Sequence, residues 1–130
     1  MSLSVSILVI DDDANLRQTL AMLLEHASYR VVTAARAAEG LAYLAQDVFD
    51  LVFLDIQMPE MNGLELLAQI RARYPRLPAL ILTAYPSPDA SREAWAKSAN
   101  GYLLKPIDPE KILAQVRALC PLEPAPKTVE

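Results

Sequence analysis

The chain has 130 residues, 53% of them apolar, a formal net charge of −4 and a single cysteine. That is enough apolar chain for one packed domain and too much for a disordered segment, while the acidic balance argues against direct nucleic-acid binding, which normally uses a basic face. Apolar runs such as residues 5–10 and 51–54 are far too short to cross a bilayer, no secretory signal pattern opens the chain, and the lone Cys120 excludes an internal disulfide framework and suits a reducing cytoplasm.

In chain order, short apolar runs alternate with segments whose apolar residues recur at helical spacing. Residues 5–10, VSILVI, predict a buried strand. Over 14–27, Leu16, Leu20, Leu23 and Leu24 recur at helical spacing. Residues 29–34 read as a second strand and 37–46 as a second helix, with Leu41 and Leu44 facing inward. The third strand is placed at 50–54 and the third helix at 64–73, with Leu67 and Ile70 on its inner side. Pro75 and Pro78 break the chain before a fourth strand at 79–83. Ser87-Pro88-Asp89 has the form of a helix start, a serine cap followed by proline and an acid in the first turn, and this fourth helix should run to about Ala99. Residues 101–104 predict a fifth strand, and Asp108-Pro109-Glu110 opens a fifth helix that ends near Cys120. Pro121, Pro124 and Pro126 cannot continue it, so the reading is a domain over 1–120 and a proline-rich tail or linker over 121–130.

Five strands alternating with five helices imply an α/β fold with a doubly wound parallel sheet covered on both faces. In such sheets the functional crevice lies at the carboxyl ends of the strands. The residues at those ends are Asp11, Asp12 and Asp13, then Asp55, Thr83, and Lys105 with Pro106. Each has an ordinary structural explanation: an aspartate can cap a helix, a threonine favours a strand end, a lysine can be a solvated charge. Together they place carboxylates, a hydroxyl and an ammonium on one rim.

Electrostatics narrows what that rim can do. Like charges 4 Å apart repel by about 1 kcal/mol in water and about 4 kcal/mol at an effective dielectric near 20. A partly buried acidic cluster therefore needs a proton or a cation. Oxygen-only ligands suit a hard divalent ion such as Mg²⁺, and the pattern offers no thiol or imidazole for zinc; His26, on the first helix, reads as surface or core. With a phosphoryl group added, every residue has a role. A carboxylate can be the nucleophile, Lys105 supplies positive charge, and Thr83 donates a hydrogen bond. Asp55 is the best nucleophile because its strand is central.

The pieces LVIDDD, FLDIQMPEMNG, LILTA and GYLLKP, in that order over roughly residues 5–119, resemble the receiver domain of two-component response regulators. The resemblance implies a flavodoxin-like sheet of order 2-1-3-4-5. It also implies a phosphoacceptor at Asp55, charged by a histidine kinase or phosphotransfer protein, and a Mg²⁺ site of Asp11, Asp12, Asp55 and the backbone carbonyl of Gln57, with Asp13 the less certain neighbour. Thr83 matches a switch hydroxyl, Lys105 the lysine that pairs with the phosphate, Tyr102 an aromatic switch, and Pro106 a site preceded by a cis peptide. The alternative reading of Tyr102 is an ordinary half-buried tyrosine of an edge strand. Two departures stand out: Pro86 and Pro88 stiffen the loop after Thr83, and Ser98 stands where a glycine commonly closes the fourth helix.

The resulting expectation is a phosphorylation-controlled switch rather than a turnover enzyme. It would act through the face of the fourth helix, fifth strand and fifth helix on a partner, an output domain or a second copy of itself. Slow loss of the phosphoryl group is expected, with Gln57 and Tyr85 placed to influence attacking water. A phosphatase would want a second carboxylate at position 57, which is glutamine. A flavin-binding domain would want a Ser/Thr/Gly-rich loop where DDDANLR stands. A degenerate receiver would lack part of the Asp11, Asp12, Asp55, Thr83 and Lys105 set.

Overall fold

The computed structural model describes residues 5–84 and 86–122; the expectations for Tyr85 and for most of the proline-rich tail fall outside these residues. In chain order the elements are β1 (Ser6–Ile10), α1 (Ala14–His26), β2 (Arg30–Ala34), α2 (Ala37–Gln46), β3 (Leu51–Asp55), α3 (Gly63–Arg73), β4 (Ala79–Thr83), α4 (Pro88–Ala96), β5 (Gly101–Leu104) and α5 (Pro109–Leu119). The five strands form one parallel sheet of order β2-β1-β3-β4-β5.

Strand alternation explains the two cores. Leu8, Ile10, Val52, Leu54, Ala79 and Ile81 project to the side covered by α2, α3 and α4. Ile7, Val9, Leu51, Phe53, Leu80 and Leu82 project to the side covered by α1 and α5. β1, β3 and β4 are buried throughout, which is why they read as continuous apolar runs, whereas the edge strands β2 and β5 keep partly exposed positions. Each fully buried Leu or Ile side chain contributes about 1.5–3 kcal/mol. Four helices are opened by side-chain caps from Asp13, Asn62, Ser87 and Asp108, each worth about 1 kcal/mol. No helix among the described residues is long and apolar enough to cross a membrane.

Several boundaries, those of β1, α1, β2 and α3 among them, differ by one residue from expectation, and two differences bear on the site and its surroundings. β3 extends one residue further, because Asp55 pairs with Leu82 of β4 and so belongs to the ladder. α4 ends at Ala96 rather than near Ala99. Ser98 takes φ 66°, and the Ala99 N–H donates back to the Ala94 carbonyl, so the chain closes in a left-handed turn. Ser28 closes α1 in the same way, at φ 79°.

Candidate functional site

Register brings the acidic residues together. Ile10 pairs with Leu54, so the next residues on those strands, Asp11 and Asp55, are neighbours at the carboxyl rim. Asp11 is held on three sides. Its N–H donates to the Ala34 carbonyl, its carbonyl accepts from Arg17 Nη1 at 2.8 Å, and its Oδ1 accepts from the Asp13 N–H at 2.9 Å. Asp13 itself caps α1, accepting from the N–H groups of Asn15 and Leu16, so the geometry gives it a structural duty and leaves exposed Asp12 to face the cluster.

Asp55 is 4% exposed, and its Oδ1 accepts the Gln57 N–H at 3.1 Å. The loop after it returns sharply: the Gly63 N–H donates to the Ile56 carbonyl at 2.6 Å. A Cβ on Gly63 would lie 2.1 Å from the Asp55 carbonyl oxygen and 2.7 Å from Ile56 Cα. α3 therefore starts in backbone contact with Asp55, and only glycine leaves room. Glycine's tolerance of such close approach is a use separate from its freedom in φ.

Lys105 follows β5, and its N–H donates to the Thr83 carbonyl at 2.7 Å, tying the ends of β4 and β5 together. The Lys105–Pro106 peptide bond is cis. The ammonium reaches back over the rim to Asp11 Oδ2 at 2.9 Å and Asp55 Oδ2 at 3.4 Å. Thr83 is fully buried at the end of β4. Ile81 pairs with Tyr102, and Thr83 lies two residues beyond Ile81, so Thr83 and Tyr102 share one face of the sheet. The Tyr102 ring packs against the α3/α4-side core, and its buried hydroxyl has no hydrogen-bond partner among the described residues. Gln57 is exposed, as is His26.

Asp11, Asp12 and Asp55 each offer one carboxylate oxygen, all within 4.8 Å of one another. Asp11 Oδ2 is buried without a directed hydrogen bond, so Lys105 serves it as a charge rather than as an aligned donor. Two buried carboxylates and the exposed Asp12, with one buried oxygen lacking an aligned donor, suit a small hard cation: oxygens sharing one Mg²⁺ at 2.0–2.1 Å lie up to about 4.2 Å apart. Without a cation the acids strain against each other. Burial, then the neighbouring Asp11 charge, push Asp55 up to about 6; the Gln57 N–H and Lys105 pull the other way, and Asp12 adds to the rise. Burial on its own lowers the Lys105 pKa, but Asp11 and Asp55 outweigh it and raise it.

This has a sign that can be checked in metal-free protein. Below about pH 4 Asp55 is protonated folded and unfolded alike and contributes nothing. Between about pH 4 and 6 the unfolded chain releases this proton first, so stability falls as pH rises, and above about 6 the full penalty is present. At 1.36 kcal/mol per unit the penalty is about 2–3 kcal/mol. In EDTA, Asp55→Asn should therefore be more stable than the wild type at pH 7.5 and similar at pH 4, measured by urea unfolding. Equal stability at pH 7.5 would contradict the crowding of charge described here.

A cavity of about 450 Å³ adjoins the rim, between the start of α1 and Lys105, Pro106 and Ile107. A larger one, about 690 Å³, lies at the opposite end of the sheet between residues 44–50 and 74–78, away from Asp11, Asp12 and Asp55.

The family model for the response regulator receiver domain matches residues 7–117. The chain belongs to that family. This receiver domain is 44% identical over 108 residues to the transcriptional regulatory protein ZraR of Klebsiella oxytoca, covering 83% of this chain and 24% of the relative. It is 38% identical over 111 residues to the response regulator protein FleR of Pseudomonas aeruginosa, covering 85% of this chain and 24% of that one. The chain thus spans about a quarter of the length of these curated relatives. Among solved structures it resembles a CheY-like receiver domain protein from Methanospirillum hungatei JF-1, with TM-score 0.87 and 32% identity over 89% of this chain and 93% of the other. It also resembles response regulator TrrA from Thermotoga maritima, solved in complex with Mg²⁺-BeF, with TM-score 0.81 and 33% identity over 88% and 98%. The family's sheet order and helix count are those of this domain.

Of the residues singled out from the sequence, Asp11, Asp12, Asp55 and Lys105 converge, Thr83 joins them through the Lys105 backbone, and Tyr102 stands one strand away. Arg17 and Gly63 were missed as parts of the site. Arg17 acts through a main-chain oxygen, which no side-chain pattern announces, and Gly63 acts by lacking a side chain.

Proposed function

We propose that this receiver domain takes a phosphoryl group onto Asp55 from a phosphohistidine of a kinase or phosphotransfer protein, and that the modified domain changes the surface formed by α4, β5 and α5. The observation that supports this reading most is a buried, proton-hungry carboxylate at the end of the central strand, crowded by Asp11 and faced by Lys105. An Asp55 carboxylate oxygen forms the new bond to phosphorus, the N–P bond of the donor breaks, and the imidazole nitrogen keeps the electron pair. Asp11, Asp12, Asp55 and the Gln57 carbonyl would hold Mg²⁺, which supplies charge neutralisation for the acids and for the phosphoryl oxygens. Lys105, already within 3.4 Å of Asp55, balances the added negative charge. Thr83 turns its hydroxyl to the phosphoryl group, and Tyr102, on the same face, responds to the space this leaves. The donor would approach across the open cavity beside α1 and the Lys105–Ile107 segment.

The domain would work in the cytoplasm as a switch, with slow self-hydrolysis its only turnover. Exposed Trp95 and Leu104 give the α4-β5-α5 surface apolar contacts for a partner, an output domain or a second copy. The TrrA complex supports the ligand set, since Mg²⁺ and beryllium fluoride, a tetrahedral anionic mimic of a phosphoryl group, are what that relative binds. Beryllium fluoride with Mg²⁺ is expected to raise the melting temperature by several degrees when saturating, and to need both components. Asp55→Asn should abolish the shift. A shift retained in that variant would place the binding elsewhere and overturn the reading.

A further inference from the structure

α4 is attached unequally at its two ends. Its one fully buried side chain, Ala94, lies in the C-terminal half, and beyond it the left-handed Ser98 turns its carbonyl toward α3. Arg71, in the last turn of α3, takes hold of that carbonyl with two nitrogens, Nε at 3.1 Å and Nη2 at 2.9 Å. Nη2 also donates to Asn100 Oδ1 at 3.0 Å, and Nη1 donates to the carbonyls of Tyr74 and Leu77. Asn100 Oδ1 accepts in turn from the Ala79 N–H, and the Asn100 N–H donates to the Ala79 carbonyl. One planar cation thus ties the end of α3, the end of α4, the start of β4 and the residue that precedes β5.

The chemistry favours this arrangement. The C-terminal ends of α3 and α4 both carry partial negative charge, and both converge on Arg71. The guanidinium offers five donors in a fixed fork, so it can serve several carbonyls at once where a lysine would serve as a single point. The other end of α4 is different. Ser87 caps it locally through the Ala90 N–H, and Pro86, Ser87, Pro88 and Asp89 are exposed. The exposed Pro86–Asp89 stretch follows closely on Thr83 in the chain.

We infer that Arg71 is a positioning residue of the switch: it pins the C-terminal end of α4, so that α4 responds to the modified site by pivoting about residues 96–100, with the displacement concentrated at 86–91. This rests on the phosphoryl-switch reading above. It means that the Ser98 turn and the head of β5 stay fixed, and that the direction of α4 motion is set from α3.

The test is peptide-resolved amide hydrogen exchange on the full chain, with Mg²⁺ and with or without beryllium fluoride, for the wild type, Arg71→Met and Arg71→Lys. In the wild type the ligand should change exchange at 86–91 and leave 96–101 as it was. In Arg71→Met, loss of hydrogen bonds to a charged group should speed exchange at 96–101 by about tenfold in both states. The ligand-induced change should also now spread into 96–101, which a merely structural role would not produce. Arg71→Lys should spread it partly. Should Arg71→Met fail to fold, Asn100→Ala, which removes the carbonyl bridging Arg71 and Ala79, decides by the same spread. A wild-type change extending through 96–101, or a variant change still confined to 86–91, overturns the pivot. Absence of any beryllium fluoride binding by thermal shift would overturn the switch reading itself, a result distinct from either of these.

Discussion

Replacing Lys105 with methionine is expected to destabilise the metal-free protein by about 2–3 kcal/mol at pH 7.5. The ammonium lies 2.9 Å from Asp11 Oδ2 and 3.4 Å from Asp55 Oδ2, and both carboxylates are buried. Stripping one partner from a buried ion pair commonly costs 3–5 kcal/mol. Here an escape limits the loss. Asp55 already holds its proton up to about pH 6, so taking one up at pH 7.5 costs only about 2 kcal/mol at 1.36 kcal/mol per unit. The deficit should therefore shrink as pH falls to 5.5, and Asp55→Asn placed on the Lys105→Met chain should recover most of it. Urea unfolding of the two single variants and the double variant, at both pH values, measures this coupling. Additive effects would show that Lys105 does not balance the acids.

Gly63→Ala should damage both stability and chemistry, for one geometric reason. The added methyl group would lie 2.1 Å from the Asp55 carbonyl oxygen and 2.8 Å from its carbonyl carbon. Ordinary contact requires about 3.5 Å, so the chain at Asp55 must retreat by about 1 Å. Alanine's better helix propensity returns at most about 1 kcal/mol, against about 1–3 kcal/mol or more for forcing atoms into packed backbone. A misplacement of about 1 Å at a reacting group can also reduce its rate about 100-fold. Gly63→Ala is thus expected to fold with a lower urea midpoint and to react with acetyl phosphate about 100 times more slowly, as read by a time course of intact mass. A variant that reacted at the wild-type rate would show that α3 can withdraw without moving Asp55.

Much of this molecule is legible without coordinates, and the reasons are physical. The apolar runs at 7–10, 51–54 and 79–82 are continuous because those strands are covered on both faces, and the helices between them carry apolar residues at a 3.6 period. Parallel strands joined by helices bring their carboxyl ends to one rim, which is why Asp11, Asp55 and Lys105 could be grouped from positions far apart in the chain. What stayed hidden depends on the backbone and on distant partners. Asp12 and Asp13 are the same residue type side by side, and only the turn into α1 assigns the cap to Asp13. The last residue of β3 is decided by Leu82, on another strand. The early end of α4 reflects the left-handed Ser98, a position the sequence already marked as helix-closing, and the bond from Arg71, 27 residues earlier, to its carbonyl, which no local pattern encodes.

Everything proposed for this domain turns on the role of Asp55 as a Mg²⁺-dependent phosphoacceptor. Its most direct test is the intact mass of the chain after incubation with acetyl phosphate, with Mg²⁺ and with EDTA, beside Asp55→Asn. A single phosphoryl adduct is expected that forms only with Mg²⁺, is lost in hydroxylamine as an acyl phosphate should be, and is missing from the variant. An adduct that persists in Asp55→Asn, or a wild type that stays unmodified with Mg²⁺ present, would contradict it.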